Sequence, residues 1–238
     1  MESSTTLIYD GSFNGFLTAV YVAFDEKLTV ADIQKNNQSQ NELFSDTQTI
    51  FTHIENAKRV WNGIRNMSYN AISYIYFAFL SETEGIEMIL YTYIQKLMLT
   101  KNGNTLDYSD GSVAYMEQLS KKVRNEKHFL ENHLRFSKTK DCIHFAQIKP
   151  NFNVLPLISK HYRNRFTDQQ WLIFDAKRNY GIYYSSGQME MVTLSEIISL
   201  DKKSVKNTIL KELIKSKLHT PKSNNRYHRS FSEQKEAV

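Results

Sequence analysis

The chain has 238 residues, enough for one large core or two small ones, and 41% hydrophobic with 23% charged residues is an ordinary globular balance. Eight glycines and three prolines argue against a disordered chain, and the one cysteine, Cys142, excludes an internal disulfide and any multi-cysteine metal or cluster site. The net charge of +5 is concentrated in the tail, where residues 202–238 carry ten Lys/Arg against three Asp/Glu, leaving 20 against 22 for residues 1–201.

No basic segment leads into an apolar one at the start, so no secretion signal is read there. The longest apolar stretches, Phe16–Phe24 and Ala71–Leu80, fall well short of the roughly 20 residues that span a bilayer. A cytoplasmic protein with no membrane partner is expected.

Thr5–Tyr9 reads as a strand ended by an Asp10-Gly11-Ser12 turn. Ser12 caps a helix expected from Phe13 to Glu26, with Phe16, Leu17, Val20 and Phe24 on one face. Residues Asn36–Asn41 are polar and repetitive and read as a loop. Thr47–Phe51 reads as a second strand, after which Thr52 and Glu55 form a capping-box pair opening a helix through Arg65. Asn70–Leu80 is apolar at helical spacing, and Ser81 with Glu84 repeats the capping box before a helix carrying Ile86, Leu90, Ile94 and Leu97. A loop over Asn102–Gly111 precedes a helix from near Ser112 to Asn132.

After that helix the pattern changes. Leu134–Lys138 and Ile143–Lys149 look like paired strands, and Asn153 caps a helix with Leu155, Ile158, Tyr162 and Phe166 inward. Trp171–Asp175, Tyr180–Tyr184 and Met189–Leu194 then suit a three-stranded meander, followed by a helical segment over Ser195–Leu218. The expected class is therefore α+β, a largely helical N-terminal half followed by a mainly antiparallel sheet with packed helices. One domain is expected over residues 1–200, with a basic, partly helical tail over 201–238.

Familiar catalytic fingerprints are missing. The chain has no P-loop, no dinucleotide glycine pattern, no HExxH, no zinc-deaminase signature and no serine-hydrolase elbow. No cofactor is expected. His128, His133 and His144 fit no single-face ligand spacing, so no metal site is expected either.

Three residues remain as catalytic candidates. Asp10 sits where a strand ends and a helix begins, a place for an acid/base or metal-binding carboxylate, though an Asx turn joining two elements explains it as well. Asp168 and His161 flank Arg163 and Arg165, whose guanidinium groups suit phosphate, while Asp168 also reads as a salt-bridge partner for either arginine. The nucleic-acid candidates are Lys121, Lys122, Arg124 and Lys127 on the helix before the strands, Arg135 beside Phe136, and Arg163 with Arg165. A solvated helix face would look the same.

Several blocks resemble a family. Leu7-Ile8-Tyr9-Asp10-Gly11-Ser12-Phe13 with Gly15-Phe16-Leu17, then Lys58-Arg59-Val60-Trp61-Asn62-Gly63-Ile64, then Glu126-Lys127-His128 leading to Leu134-Arg135-Phe136, and finally Pro150 to Tyr184 resemble an uncharacterised bacterial family linked to DNA metabolism and DNA repair. The resemblance implies a radical-SAM DNA repair or modification protein as partner, and relatives fused to uracil-DNA-glycosylase-like domains. It carries no catalytic residues over to this chain. With Cys142 alone, a radical-SAM cluster would have to belong to the partner. The tail departs from the family, whose relatives end in a basic segment with tryptophan, whereas here the tryptophans are Trp61 and Trp171.

Three readings follow. The first is an accessory protein that engages DNA and acts with a partner enzyme. The second is a stand-alone nuclease- or glycosylase-like hydrolase using Asp10 or Asp168. The third is a protein–protein adaptor.

Overall fold

The computed structural model describes residues 4–36, 46–99, 111–139 and 142–193. These fall into two compact units. The first takes its described residues from Met1–Asn132 and Pro150–Ile158, and the second from His133–Lys149 and Ser159 onward. The sequence pattern had suggested one domain over residues 1–200. The expected helical segment Ser195–Leu218 and the tail 201–238 lie outside the described residues, as does most of the expected loop Asn36–Asn41.

The first unit opens with β1 (Thr5–Tyr9) and α1 (Phe13–Asp25), where the sequence pattern puts them. Ser12 caps α1 by accepting a hydrogen bond from the Gly15 N–H at 2.9 Å. Two further strands were less legible. β2 (Val30–Lys35) was not anticipated, and β3 (Asp46–Thr49) is shorter and earlier than the expected Thr47–Phe51. Both pair with β1 in parallel, giving a three-stranded sheet in the order β2-β1-β3.

Among the described residues this unit also holds α2 (Ile54–Met67), α3 (Tyr69–Phe79), α4 (Ile86–Leu99) and α5 (Gly111–His133), whose last residue belongs to the second unit. The core joins Leu7 and Tyr9 of β1 to Phe16 and Val20 of α1, Ile64 of α2, Ile75 of α3, Leu90 and Ile94 of α4 and Met116 of α5. Phe13 is ringed by Trp61, Tyr76 and Phe79 at centroid distances of 5.0–5.7 Å, in edge-on geometries that aromatic rings favour. Phe24, expected inward, is 38% exposed and lies 6.0 Å from the Tyr91 ring.

Neither expected capping box forms. At α2 the cap position is His53, whose side chain makes no capping bond, and the Thr52 hydroxyl donates to Asp10. Before α4 the Ser81 hydroxyl bonds the Thr83 hydroxyl at 3.0 Å, and the helix starts only at Ile86.

The second unit is the expected mainly antiparallel sheet, in the order β4-β5-β6-β7-β8. The strands are β4 (Ser137–Lys138), β5 (His144–Ile148), β6 (Trp171–Asp175), β7 (Tyr180–Ser185) and β8 (Gln188–Thr193). Only β5 and β6 pair in parallel, and α6 (Leu155–Arg165) lies in the connection between them. That helix spans the division, with Leu155–Ile158 in the first unit and Ser159–Arg165 in the second. Within the second unit Tyr162 stacks on Phe166 at 6.2 Å, Phe136 meets both edge-on, and Trp171 stacks on Tyr184 at 5.2 Å.

All of β6 is buried, Asp175 included. A buried carboxylate must be paired and hydrogen-bonded. Asp175 accepts from the N–H groups of Lys177 and Arg178, and from the Arg178 guanidinium at 2.9 Å. This pair locks the turn from β6 to β7.

Candidate site at the carboxyl edge of the parallel sheet

β1 is the central strand, with β2 on one side and β3 on the other, so the chain switches sides at its carboxyl end. In open parallel sheets ligands enter outside the carboxyl ends of the strands at such a point, because helix amino termini and loop side chains converge there. Asp10 occupies this position. Its Oδ1 accepts the Ser12 N–H at 2.8 Å and its Oδ2 accepts the Thr52 hydroxyl at 2.7 Å. Slight burial pushes the carboxyl up, but the bonds from Ser12 and Thr52 outweigh it and leave Asp10 below its usual value. The side chain is an exposed, ionised carboxylate held by two donors.

Two glycines permit this. Gly11 has φ +83°, a left-handed conformation that lets the chain turn sharply between strand and helix. Gly15 faces the carboxylate, and a Cβ there would collide with Asp10 Oδ1 and come within 2.9 Å of Thr52 Oγ1. A second tie runs between α1 and the start of α2, where the His53 N–H donates to Thr18 Oγ1 at 3.2 Å.

Beside this clamp lies a buried charged group. The Tyr9 hydroxyl donates to Glu87 Oε1 at 2.8 Å, and the Lys35 ammonium approaches the same oxygen at 3.3 Å. Lys35 also lies 5.9 Å from the Phe79 ring centroid. Burial, followed by the Glu87 charge and hydrogen bond and the Asp10 charge, holds the Tyr9 phenol far above its ordinary value. It is therefore a neutral donor. Tyr9 ends β1, Lys35 ends β2 and Glu87 is in the first turn of α4, so three separate elements meet at this edge.

The other candidates are distributed over both units. On α5 Lys121, Lys122 and Arg124 are exposed, and the Arg124 guanidinium lies over the Phe77 ring at 5.4 Å. Lys127 is ion-paired with Glu131 at 3.2 Å. On the same helix Glu126 accepts the Asn151 and Phe152 N–H groups, each at 2.8 Å, and so anchors the chain before α6.

In the second unit Arg135 is exposed, and Arg165 lies over the ring of its neighbour Phe166 at 5.5 Å. No ion pair joins Asp168 to Arg163 or Arg165 among the described residues. Asp168 instead lines an open polar depression of about 390 Å³ with Lys138, Cys142, His144, Gln169 and Gln170. Among the described residues His161 Nε2 is buried with no hydrogen-bond partner, and its ring meets that of Tyr162 edge-on at 5.0 Å. Among the described residues no group of three or more His, Cys, Asp or Glu side chains is placed to hold a metal ion. Among them also, no helix is long and apolar enough to cross a membrane.

Sequence reasoning found Asp10 but missed Lys35 and Glu87, and it assigned Thr52 to a helix cap. Glu87 carried one signal, an acidic residue between Ile86 and Met88 in a mostly apolar helical segment.

No curated protein matches the chain. A family model described as a domain of unknown function, DUF4130, matches residues 84–233, which takes in α4, α5 and most of the second unit; matched over more than half its length, the chain belongs to that family.

Proposed function

We propose that the chain is an accessory DNA-metabolism protein that engages DNA and acts with a partner enzyme. The observation that carries this reading is the turn of α5 holding Lys121, Lys122 and Arg124, all three exposed and none ion-paired with a carboxylate among the described residues. The Arg124 guanidinium lies over the Phe77 ring at 5.4 Å, a contact that fixes the position of one of these cations on the helix surface. Arg135, Arg163 and Arg165 add cations in the second unit, and the sequence of the tail adds more. The partner suggested by the sequence resemblance is a radical-SAM protein. With Cys142 as its single cysteine, this chain would leave the cluster to that partner.

The test is fluorescence anisotropy of the full chain with labelled single-stranded, duplex and uracil-containing DNA across a salt series. Each phosphate contact on duplex contributes about 0.9 to the log–log slope, so three contacts from α5 predict a slope near −3 or steeper. Absence of binding at low salt overturns direct engagement of DNA by this chain.

The position of Asp10 favours a second reading, a hydrolase acting on nucleic acid. An ionised carboxylate at the carboxyl end of a central parallel strand is placed to act as a nucleophile or to orient water. Asp168, in its depression with Lys138 and His144, is the alternative carboxylate for that chemistry. Under this reading Asp10→Asn or Asp168→Asn abolishes turnover of a nucleic-acid substrate, and under the first reading either variant still binds DNA.

A further inference from the structure

β6 is buried along its whole length, although its side chains alternate between the two faces of the sheet. Both faces are therefore covered there. On one of them Trp171 meets Tyr162 of α6 edge-on at 6.4 Å, so that helix supplies the layer. The other face carries Leu172 and Phe174 of β6, Phe145 of β5, Val192 of β8 and, just before β5, Ile143. Phe174 is fully buried and Leu172 is 2% exposed. Among the described residues this cluster draws on strands and the turn after β6, with Ala176 and Tyr183 at its margin and no helix side chain. A single layer of strands cannot bury a phenylalanine completely, so a second layer lies over it.

That cover extends to the edge of the sheet. On β8 Val192 is buried on this face, while Met191 on the other face is 69% exposed. β8 ends at Thr193, and the sequence continues to Val238. The family match runs on to residue 233, so the family's shared pattern includes this stretch. Within it Ile209, Leu210, Leu213 and Ile214 recur at i, i+1, i+4 and i+5, the spacing of one helix face, with Lys211, Glu212 and Lys215 opposite. Three strand spacings separate β8 from β5, about 14 Å. Residues 194–204 can extend about 30 Å. A helix over 205–218, about 20 Å long, therefore reaches the whole face.

We infer that residues 205–218 form a helix whose Ile209–Ile214 face docks on the sheet face of Leu172 and Phe174. The contact is apolar on both sides, and with α6 it gives the sheet a helix on each face. It turns Lys211 and Lys215 to water, so part of the basic tail is held at a fixed place on the fold.

The experiment is amide hydrogen exchange, read by mass spectrometry, on the full chain and its Leu213→Asp, Leu213→Ala and Lys211→Ala variants. An isolated helix of this length is marginal in water, so undocked it would exchange almost as fast as unfolded chain. Docked, the amides of 205–218 should exchange at least about 100-fold more slowly than that. Leu213→Asp should remove this protection and speed exchange in β6 as well. Leu213→Ala is the milder companion for a second unit that the aspartate unfolds, and should raise exchange in both segments at least about 10-fold. Lys211→Ala, on the opposite face, should leave both unchanged.

Exchange of 205–218 at the unfolded rate in the wild type overturns the docking. A dimer on size-exclusion chromatography in that case would assign the cover to a second copy of the chain. Protection of 205–218 that Leu213→Ala lowers without any change in β6 also overturns it, since the helix would then pack elsewhere.

Discussion

Tyr9 and Glu87 are 78 residues apart in the chain and 2.8 Å apart in the fold, a phenol donating to a carboxylate that Lys35 also approaches. A hydrogen bond to a charged acceptor in a buried setting contributes more than an ordinary one. Tyr9→Phe should therefore cost about 1.5–3 kcal/mol in urea denaturation at neutral pH. The phenol is raised in the folded state, so its contribution is present below the unfolded value near pH 10 and declines above it. The alkaline fall in stability should be shallower in Tyr9→Phe than in the wild type.

Gly15→Ala offers a sharper test of the Asp10 clamp. In an ordinary helix interior alanine would be favoured over glycine by about 1 kcal/mol. Here the added methyl would displace the Asp10 carboxylate and crowd Thr52. The variant should lose about 1–3 kcal/mol instead. In an Asp10→Ala background the same change should be close to neutral, a coupling of at least about 1 kcal/mol by double-mutant cycle. Additive losses would show that the carboxylate is not what excludes the methyl.

The Asp10 carboxyl also has a signature in acid. Its value is depressed in the folded chain, so its contribution is complete above the unfolded value near pH 4 and is lost as pH falls through the folded one. Thermal midpoints of wild type and Asp10→Asn should differ above about pH 4 and converge below it. Because the side chain is mostly exposed, the gap should be small. Parallel curves over the whole acid range would contradict the clamp.

Charge reversal on α5 separates phosphate contacts from a solvated face. Lys121→Glu with Lys122→Glu should lower the magnitude of the duplex salt slope by about 2 and leave thermal stability within about 0.5 kcal/mol of wild type. Lys127→Glu is the contrasting variant, because Lys127 is paired with Glu131 and its reversal sets two like charges one turn apart. It should cost stability even where DNA binding is unaffected.

Local grammar made part of the site legible. The strand Thr5–Tyr9, the Asp10-Gly11-Ser12 turn and the Ser12 cap each depend on residues within a few positions of one another, and all three form as the pattern implies. The parallel sheet was hidden because its outer strands are polar. Val30–Lys35 buries only Ile33, and Asp46–Thr49 buries no side chain, so neither shows the alternation that marks a half-buried strand. Thr52 shows how a local spacing can mislead, because α2 begins one residue later than the pattern implies, with His53 at the cap. Thr52 with Glu55 has the spacing of a capping box, yet the hydroxyl goes to Asp10, 42 residues earlier.

By itself the sequence determined the helices with apolar faces, the meander of the second unit and the position of Asp10 at a strand end, because each follows from side chains adjacent in the chain. Tertiary structure alone decided that β1 would be the centre of a parallel sheet, that Gly15 would leave room for a carboxylate, and that Tyr9, Lys35 and Glu87 would share one oxygen. Such pairings depend on how distant elements pack, and a buried acceptor takes whatever donor that packing brings within reach.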